Sequence, residues 1–213
     1  MRFTKLGHSC VRLEKDGAVV VIDPGTWSDA ATALAGAAAV MVTHEHEDHL
    51  DADAVRTALR ASPELTLWTT PSVTAKFAEF GDRVHETRHG DALSVAGFDV
   101  HVHGHVHAPI HKEIPQVANA GYLVDGELFH PGDSLTIPEE PVRTLLLPIS
   151  APWLRAGDMI DYFREVAPAR GYTIHDAILS DDGLGITTKL MALAAAPASA
   201  PVARLDPGTG LEL

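Results

Sequence analysis

The order of apolar and polar positions predicts short strands with helices inserted between some of them. Runs of apolar residues, alternating or continuous, indicate strands, and turn signals such as Lys15-Asp16-Gly17 separate them. An apolar stripe at helical spacing follows Asp51, a favourable N-cap. In the first half the predicted strands are residues 2–6, 9–13, 18–22, 38–42 and 65–69, and the predicted helices are residues 28–35, 52–60 and 72–80.

The second half has a similar order of elements. Meanders of strands with helices late in each half predict two sheets packed face to face with helices outside, an α+β fold. No linker-like composition divides the chain, so we expect residues 1–213 to form a single domain. The Ala- and Pro-rich end, residues 194–213, is either a flexible tail or a segment docked at a sheet edge. The predicted strands here are residues 83–87, 92–95, 98–107, 120–124, 127–130 and 144–148, and the predicted helices are residues 156–166 and 183–195.

A cluster of histidines and carboxylates directly follows the apolar run at residues 38–42. Within Thr-His-Glu-His-Glu-Asp-His-Leu-Asp, the residues with metal-ligand chemistry are His44, His46, Asp48 and His49. Imidazole nitrogen and carboxylate oxygen are the usual non-sulfur ligands of zinc and similar ions. A solvated loop would explain one histidine in a chain that has 13, but not four ligand-type residues in this order. The cluster therefore predicts a metal site.

Further ligands have to come from other strand ends, because a catalytic zinc needs several protein ligands and an open position. Residues 98–107 alternate between an apolar face and a histidine face, and one ion cannot use ligands spread over about 20 Å of strand. We expect the histidine nearest the strand end, His107, to be the ligand. The histidines of that face are His101, His103, His105 and His107.

Two later residues are weaker candidates. Asp133 follows an apolar strand and a Pro-Gly break, where it could bridge two cations or be an ordinary turn aspartate. His175 lies in an apolar neighbourhood, where a histidine packed in the core is the usual explanation.

Composition and charge narrow the function classes. Apolar residues make up 46% and charged residues 21% of the chain, as in soluble globular proteins. The net charge of −13 disfavours nucleic acid and anionic membrane surfaces as partners. Cys10 is the only cysteine, which excludes a thiolate zinc cage, and we expect it to be a buried strand residue. The chain shows neither a signal-peptide pattern nor a membrane-spanning run, so we expect a cytoplasmic enzyme.

Taken together, these motifs resemble the metallo-β-lactamase fold hydrolases over nearly the whole chain. Gly7-His8-Ser9 and Ile22-Asp23-Pro24 are similar to the opening strands of that family, and His44-x-His46-x-Asp48-His49 matches its signature. The block from His107 through Asn119-Ala120-Gly121-Tyr122 to His130-Pro131-Gly132-Asp133-Ser134 is similar to the small branch that includes the ascorbate-phosphate lactonase-like proteins. The resemblance implies a four-layer αββα sandwich with metals in a groove at one edge of the sheets.

The same resemblance implies two divalent metal ions, with zinc favoured and Mn²⁺ or Fe²⁺ as alternatives. The first ion would be held by His44, His46 and His107, the second by Asp48, His49 and His175, with Asp133 between them. Three nearby histidines compete with His107 for its role, namely His103, His105 and His111.

The expected activity is hydrolysis of a lactone, ester or amide bond of a small molecule by a metal-bound hydroxide. Asp48 would be catalytic, because it could orient the hydroxide and pass its proton to the leaving group. The expected partner is a small-molecule substrate, and the sequence leaves the formation of a homo-oligomer open. The candidates to line the substrate groove are His8, Asp23, His111 and Trp153.

Three other functions remain open on the sequence. A phosphodiesterase or nuclease would suit the same metal site, although the acidic charge and the lack of a basic stripe disfavour it. A non-catalytic metal-binding protein would keep the ligands without an accessible groove. A diiron redox protein is a third class, disfavoured because no flavin-binding second domain fits within 213 residues.

Overall fold

The computed structural model describes residues 1–197 and 200–213 and forms two sheets of seven strands each. The strands are β1 (Arg2–Lys5), β2 (Val11–Lys15), β3 (Ala18–Ile22), β4 (Ala39–Val42), β5 (Thr66–Thr69), β6 (Val84–Glu86), β7 (Ala92–Val95), β8 (Phe98–His103), β9 (Gly121–Val124), β10 (Leu128–His130), β11 (Thr144–Pro148), β12 (Arg170–Ile174), β13 (Val202–Ala203) and β14 (Gly210–Glu212). The helices are α1 (Ala30–Leu34), α2 (Ala52–Ala61), α3 (Pro71–Lys76), α4 (Ala156–Val166) and α5 (Asp181–Ala195), and a 3₁₀ segment covers Ala78–Arg83.

Each sheet is half antiparallel and half parallel. The first has the order β14-β1-β2-β3-β4-β5-β6, with β3 to β6 parallel because α1, α2 and α3 provide the crossovers. The second has the order β13-β12-β11-β10-β9-β8-β7, with β10 to β13 parallel and α4 and α5 in two of the connections. Parallel strands place their carboxyl ends at a common edge of each sheet.

Three apolar clusters divide the molecule into four layers. Between the sheets, the inward side chains of both sheets pack on one another, among them Phe3, Ile22, Phe98 and Tyr122. Helices α1 to α3 cover the outer face of the first sheet, and α4 and α5 cover that of the second. The predicted αββα sandwich is therefore confirmed.

Helix α2 shows how local sequence sets these layers. The Asp51 carboxylate accepts a hydrogen bond of 2.9 Å from the Ala54 N–H and caps the helix, as predicted. Val55 and Leu59, one helical turn apart, are buried against the first sheet. The cap matters for the site because the loop before it carries the histidine motif.

The structure corrects two predicted elements and adds a strand that was not predicted. Strand β8 ends at His103 rather than residue 107, because Gly104 has a φ of +84° and turns the chain out of the sheet. The helix predicted over residues 72–80 ends at Lys76 and continues as the 3₁₀ segment. Strand β12, the second strand from one edge of the second sheet, was not predicted, and it leads directly to His175.

The C-terminal segment docks on both sheets. Strand β13 pairs in parallel with β12, and β14 pairs antiparallel with β1. Of the two expectations for residues 194–213, docking is confirmed for the part that the structure describes, whereas residues 198–199 lie outside it. Across residues 1–197 and 200–213, none of the helices has the length and apolar character needed to cross a bilayer.

Candidate metal centre

The histidine motif forms a compact turn between β4 and α2. The His49 and Leu50 N–H groups donate to the His46 carbonyl over 3.1 and 2.9 Å, and the Asp51 N–H donates to the Pro24 carbonyl over 2.8 Å. The turn also packs tightly on Gly25, where a Cβ atom would lie 1.9 Å from the Asp48 carbonyl oxygen. The motif is thus held in place by the chain after β3.

Side chains from distant segments meet around this turn in two groups. In each group the ligand atoms all lie within 4.8 Å of one another. The residue that follows β12, His175, belongs to the second group, and the loop after β10 contributes Asp133 to the first. The first group is His44, His46, His107 and Asp133, and the second is His8, Asp48, His49 and His175.

Asp133 connects the two groups. Its Oδ1 lies 2.9 Å from Nε2 of His49, and its Oδ2 lies 3.3 Å from Nε2 of His107 and 3.1 Å from Nε2 of His175. One carboxylate therefore contacts histidines of both groups, which is the position that the family resemblance implies for a bridging ligand.

Neighbouring groups determine which nitrogen of each histidine faces the centre. Nδ1 of His107 lies 2.5 Å from the Ala108 carbonyl, and Nδ1 of His175 lies 2.5 Å from the Ser150 carbonyl. A carbonyl only accepts, so both Nδ1 atoms carry a proton and donate it, which directs Nε2 of each ring at the centre. Metal-binding histidines in proteins are oriented by the same kind of contact.

A buried carboxylate orients the motif histidines in the same way. Asp23 Oδ2 lies 2.6 Å from Nδ1 of His49 and accepts the Thr43 hydroxyl proton over 2.7 Å. The Thr43 oxygen in turn lies 3.0 Å from Nδ1 of His44 and accepts its proton. Asp23 thus orients one histidine of each group, directly or through Thr43.

Asp133 is positioned by a narrow turn beneath it. Its N–H donates to Oδ1 of Asn119 over 3.0 Å, and the Asn119 amide donates to the Pro131 carbonyl over 2.9 Å. Gly132 has a φ of +62°, and a Cβ atom there would lie 2.3 Å from the same Asn119 oxygen. The Pro-Gly step before Asp133 is therefore required by both backbone conformation and space.

Several buried polar atoms of the centre are unpartnered. Among the residues that the structure describes, Nε2 of His8, Nε2 of His49, Nε2 of His175 and Oδ1 of Asp133 have no hydrogen-bond partner of suitable geometry. Such atoms are costly to bury unless a ligand satisfies them. The atoms of His49, His175 and Asp133 in this set are donors of the kind that bind a divalent cation, and the ligand groups contain no residue that would exclude one.

The pKa shifts of two histidines and two carboxylates in the centre favour cation binding. Burial lowers the pKa of His44 well below its usual value and lowers that of His46, so both rings are neutral at neutral pH. Burial alone would raise the pKa of Asp133, but the charge of His49 and contacts with His107 and His175 hold it well below the usual range. Burial alone would also raise the pKa of Asp48, but contacts with His175 and His8 lower it.

His175 departs from ordinary backbone geometry. Its φ is +59°, a left-handed conformation that is uncommon for residues other than glycine. The His175 N–H donates to the His8 carbonyl over 2.9 Å, which ties the end of β12 to the loop after β1. This backbone turn directs the imidazole that follows β12 into the centre.

A groove of about 230 Å³ opens over the centre. Its floor includes His46, Asp48 and Asp133, and Trp153 forms one wall while donating from Nε1 to Asp133 Oδ2 over 2.8 Å. The remaining lining is largely apolar, consisting of Trp27, Ile110, Pro152 and Ile178 beside His107 and His175.

The structure brings all seven predicted metal ligands together, although metal binding itself stays a prediction. Among the histidines that competed for the first group, His107 is in it, whereas His103 and His105 lie beside His89 away from it. The seven are His44, His46, Asp48, His49, His107, Asp133 and His175.

The predicted groove residues are only partly in place. Trp153 lines the groove, as expected. Asp23 does not, because its side chain is 0% exposed beneath His49. His111 does not line it either; its side chain is 55% exposed next to Glu113, and the neighbouring Ile110 takes its place. His8 is buried with the second ligand group rather than on the groove wall.

Sequence reasoning missed the residues that orient the ligands. Thr43, Asn119 and the Ser150 carbonyl act through hydrogen bonds to other residues, and Trp27 lies on the groove wall. Thr43 precedes His44 directly, and Asn119 belongs to residues 119–122, which resemble the family. Their proximity to these motifs is the feature of the sequence that could have indicated them. Nothing in the sequence around Ser150 or Trp27 indicates their positions.

Comparison with models of protein families shows which family this chain belongs to. The model of the Lactamase_B_3 family, described as a beta-lactamase superfamily domain, matches residues 2–175. The chain belongs to the beta-lactamase superfamily. The predicted family, and with it the predicted enzyme class of a hydrolase of this superfamily, is confirmed.

Relatives of this beta-lactamase superfamily member agree with its fold. It is 39% identical over 191 residues to Protein Rv0786c of Mycobacterium tuberculosis, covering 87% of this chain and 89% of that protein. It is similar to Igni18, a metallo hydrolase from Ignicoccus hospitalis, with a TM-score of 0.74 and 20% identity over 100% of this chain and 98% of that one. It is also similar to the metallo-beta-lactamase fold protein YhfI from Bacillus subtilis, with a TM-score of 0.73 and 16% identity over 99% of both chains.

Proposed function

We propose that the protein is a hydrolase that uses two divalent ions to cleave a lactone, ester or amide bond in a small, largely uncharged molecule. The observation that carries the proposal is the shared orientation of the histidines. His44, His49, His107 and His175 each have Nδ1 engaged with an oxygen atom and Nε2 directed at the centre. A polar loop without a ligand would not need four matching orientations.

The residues present fit two cations. His44, His46 and His107 would hold the first, and Asp48, His49 and His175 the second, with Asp133 contacting both. Nitrogen and oxygen donors of this kind favour zinc, with Mn²⁺ and Fe²⁺ as alternatives. When bound, such ions lower the pKa of a water molecule towards neutrality and polarise a substrate carbonyl.

Asp48 lies where it can accept a proton from the attacking water and donate it to the leaving group. It is the motif carboxylate on the groove floor, its side chain is 15% exposed, and its lowered pKa keeps it ionised. An ionised carboxylate within reach of the attacking water can accept its proton and deliver it to the leaving group.

His8 has the role of positioning Asp48. Its Nδ1 accepts the Ala177 N–H over 3.2 Å, so the neutral ring carries its proton on Nε2, which lies 3.3 Å from Asp48 Oδ2. Burial lowers the pKa of His8 and keeps the ring neutral. A ring that is protonated on Nε2 and faces Asp48 at this distance orients the carboxylate and does not supply a lone pair to a cation.

The groove walls favour an uncharged substrate. Trp27, Ile110 and Ile178 are between 36% and 49% exposed, which leaves apolar surface for an acyl or ring portion. Among the described residues that line the groove, none is Lys or Arg, the residues that usually bind phosphate. The main alternative, a phosphodiesterase on the same site, therefore has less support.

A substrate screen tests this function. Metal-depleted protein, restored with zinc, manganese or iron, would be assayed against lactones, thioesters, amides and bis-nitrophenyl phosphate. We expect metal-dependent turnover of a lactone, ester or amide. The matched control is His85→Ala, which removes an imidazole that stacks on Trp68 away from the centre.

Two results would contradict the proposal. Preferential cleavage of bis-nitrophenyl phosphate would favour the phosphodiesterase. Stoichiometric metal binding without turnover of any of these substrates would favour a non-catalytic metal-binding protein.

A further inference from the structure

A lysine occupies an inward position of strand β1. Alternation along the strand places Lys5 on the same face as Phe3, which packs between the two sheets. The Lys5 side chain is only 1% exposed. Burying an ammonium group is costly unless it is paired, and apolar residues in place of a buried ion pair are often at least as stable. Packing alone therefore does not account for Lys5.

Lys5 and Arg204 together hold the carboxylate of Asp176. Lys5 Nζ donates to Asp176 Oδ1 over 2.8 Å, and Arg204 Nε donates to Oδ2 over 2.8 Å. The Asp176 side chain is 3% exposed, so both of its oxygens are engaged by cationic groups away from bulk water. Hydrogen bonds between ionised groups are roughly twice as strong as those between neutral groups. The two contacts fix the position of this carboxylate.

Asp176 directly follows His175, whose backbone is left-handed. A φ of +59° at such a residue persists only where surrounding contacts hold it. One support comes from His8, whose carbonyl accepts the His175 N–H over 2.9 Å and whose Nδ1 accepts the Ala177 N–H over 3.2 Å. The other support is the Asp176 carboxylate, which its two cationic partners hold. The ion pairs thus help to keep the imidazole of His175 directed at the centre.

The C-terminal segment supplies part of this network. It runs from β13, which pairs with β12, to β14, which pairs with β1. Arg204 directly follows β13. The Gly208 N–H donates to the Lys5 carbonyl over 2.7 Å, and the Lys5 N–H donates to the Thr209 carbonyl over 3.2 Å. Docking of this segment therefore places both cations beside the carboxylate that follows the metal ligand.

We propose that Lys5 and Arg204 are positioning residues for the metal ligand His175. They hold the carboxylate that follows it, so that the left-handed turn presents Nε2 to an ion of the second group. The inference rests on the metal binding that the proposed function requires. Without these partners, Asp176 would turn towards water and the strained φ would relax. Nε2 of His175 would then move from its place 3.1 Å from Asp133 Oδ2.

Arg170 offers a matched comparison for a purely structural ion pair. It begins β12, the strand that leads to His175, and it is 34% exposed against 31% for Arg204. Its guanidinium donates to Glu127 and to the Thr144 hydroxyl, at the opposite end of the strand. Loss of either arginine should therefore reduce stability to a similar degree, but only Arg204 supports the turn at the ligand.

Two measurements on Arg204→Gln and Arg170→Gln test the proposal. Chelator competition would resolve the two zinc ions, and we expect Arg204→Gln to bind one of them about tenfold more weakly, with the other unchanged. NMR of metal-free, histidine-labelled protein would follow the His175 Nδ1 proton, which is hydrogen-bonded to the Ser150 carbonyl. We expect this proton to exchange faster with solvent in Arg204→Gln than in the wild type. Arg170→Gln should behave as the wild type in both measurements.

A second variant tests the other cation. Lys5→Met keeps the length of the side chain and removes its charge, so it should show the same two effects. Because Lys5 is buried, circular dichroism would check that this variant folds, and Arg204→Gln decides the result if it does not.

The outcomes separate this proposal from the proposed function. Wild-type zinc affinity and wild-type exchange at His175 in Arg204→Gln would overturn the positioning role. Equal loss of affinity in Arg204→Gln and Arg170→Gln would also overturn it, because it would reflect a general loss of stability. A wild type that binds no zinc would overturn both proposals, whereas normal zinc binding without hydrolysis would contradict the proposed function alone.

Discussion

Nδ1 of His49 donates a hydrogen bond of 2.6 Å to Oδ2 of Asp23, and both side chains are fully buried. Asp23 follows β3 and His49 ends the motif after β4, so the contact joins the ends of two neighbouring parallel strands. Asp23 also accepts the Thr43 N–H over 2.8 Å. This carboxylate determines which His49 nitrogen faces the centre.

Replacing Asp23 by asparagine should weaken metal binding. The amide would no longer hold the proton of His49 on Nδ1, and the loss of such a contact typically lowers metal affinity about 10- to 100-fold. Competition with a chelator would measure the change. Asp99→Asn, an exposed change on β8, is the control, and equal affinity in the two variants would show that Asp23 does not orient a ligand.

Asp48→Ala should abolish hydrolysis. Removal of a proton-transfer group lowers turnover by about 10²- to 10⁴-fold, and loss of a ligand adds to this. The assay would pair kcat with bound metal, and Glu47→Ala, its exposed neighbour in the same turn, is the control. Near-normal turnover of Asp48→Ala would refute the assignment.

Metal binding should release protons, and its affinity should rise with pH. Burial favours the neutral His175 ring, but contacts with Asp133 and Asp48 outweigh it and raise the pKa to about 9 in the metal-free protein. Burial alone would lower the pKa of His49 as well, but the charges of Asp133 and Asp23 raise it. A cation must displace these protons, so affinity should increase as pH rises from neutrality towards about 9.

Calorimetry in buffers of different ionisation enthalpy would count the released protons. The expected change in affinity is up to about tenfold per pH unit for each proton displaced. Heats that do not depend on the buffer, with constant affinity over this range, would contradict the expectation.

Gly132→Ala should destabilise the protein and impair the centre. A Cβ atom at this left-handed position would lie 2.3 Å from Asn119 Oδ1 and 2.7 Å from Thr43 Cβ. Combined clash and backbone strain should cost about 2 kcal/mol or more. Denaturant unfolding would measure the loss.

The control for Gly132 is Gly90→Ala. Gly90 has a φ of +90° and open space around it, so the variant reports backbone strain without a clash. Gly132→Ala should be the more destabilised of the two and should lose metal affinity as well. Similar losses in both variants would argue against the tight packing beneath Asp133.

The apolar pattern predicted most elements because each strand is largely encoded by its own residues. The pattern failed where neighbouring elements or the backbone determine whether a strand forms and where it ends. Strand β12 begins with Arg170 and Gly171, which break the apolar run, yet it pairs with β11 on one side and β13 on the other. The alternation of β8 continues in sequence beyond His103, but the backbone at Gly104 ends the strand.

The sequence by itself determined the chemistry of the centre: which residue types cluster after β4, and that further ligands had to come from other strand ends. Only the tertiary structure decided how those side chains act. It buried Asp23 as an orienting group, turned His8 towards Asp48 and left His111 outside the groove. The physical reason is that apolar periodicity depends only on residues that are close in sequence. The proton position on an imidazole depends instead on an acceptor that folding brings from a distant segment, such as the Ser150 carbonyl for His175.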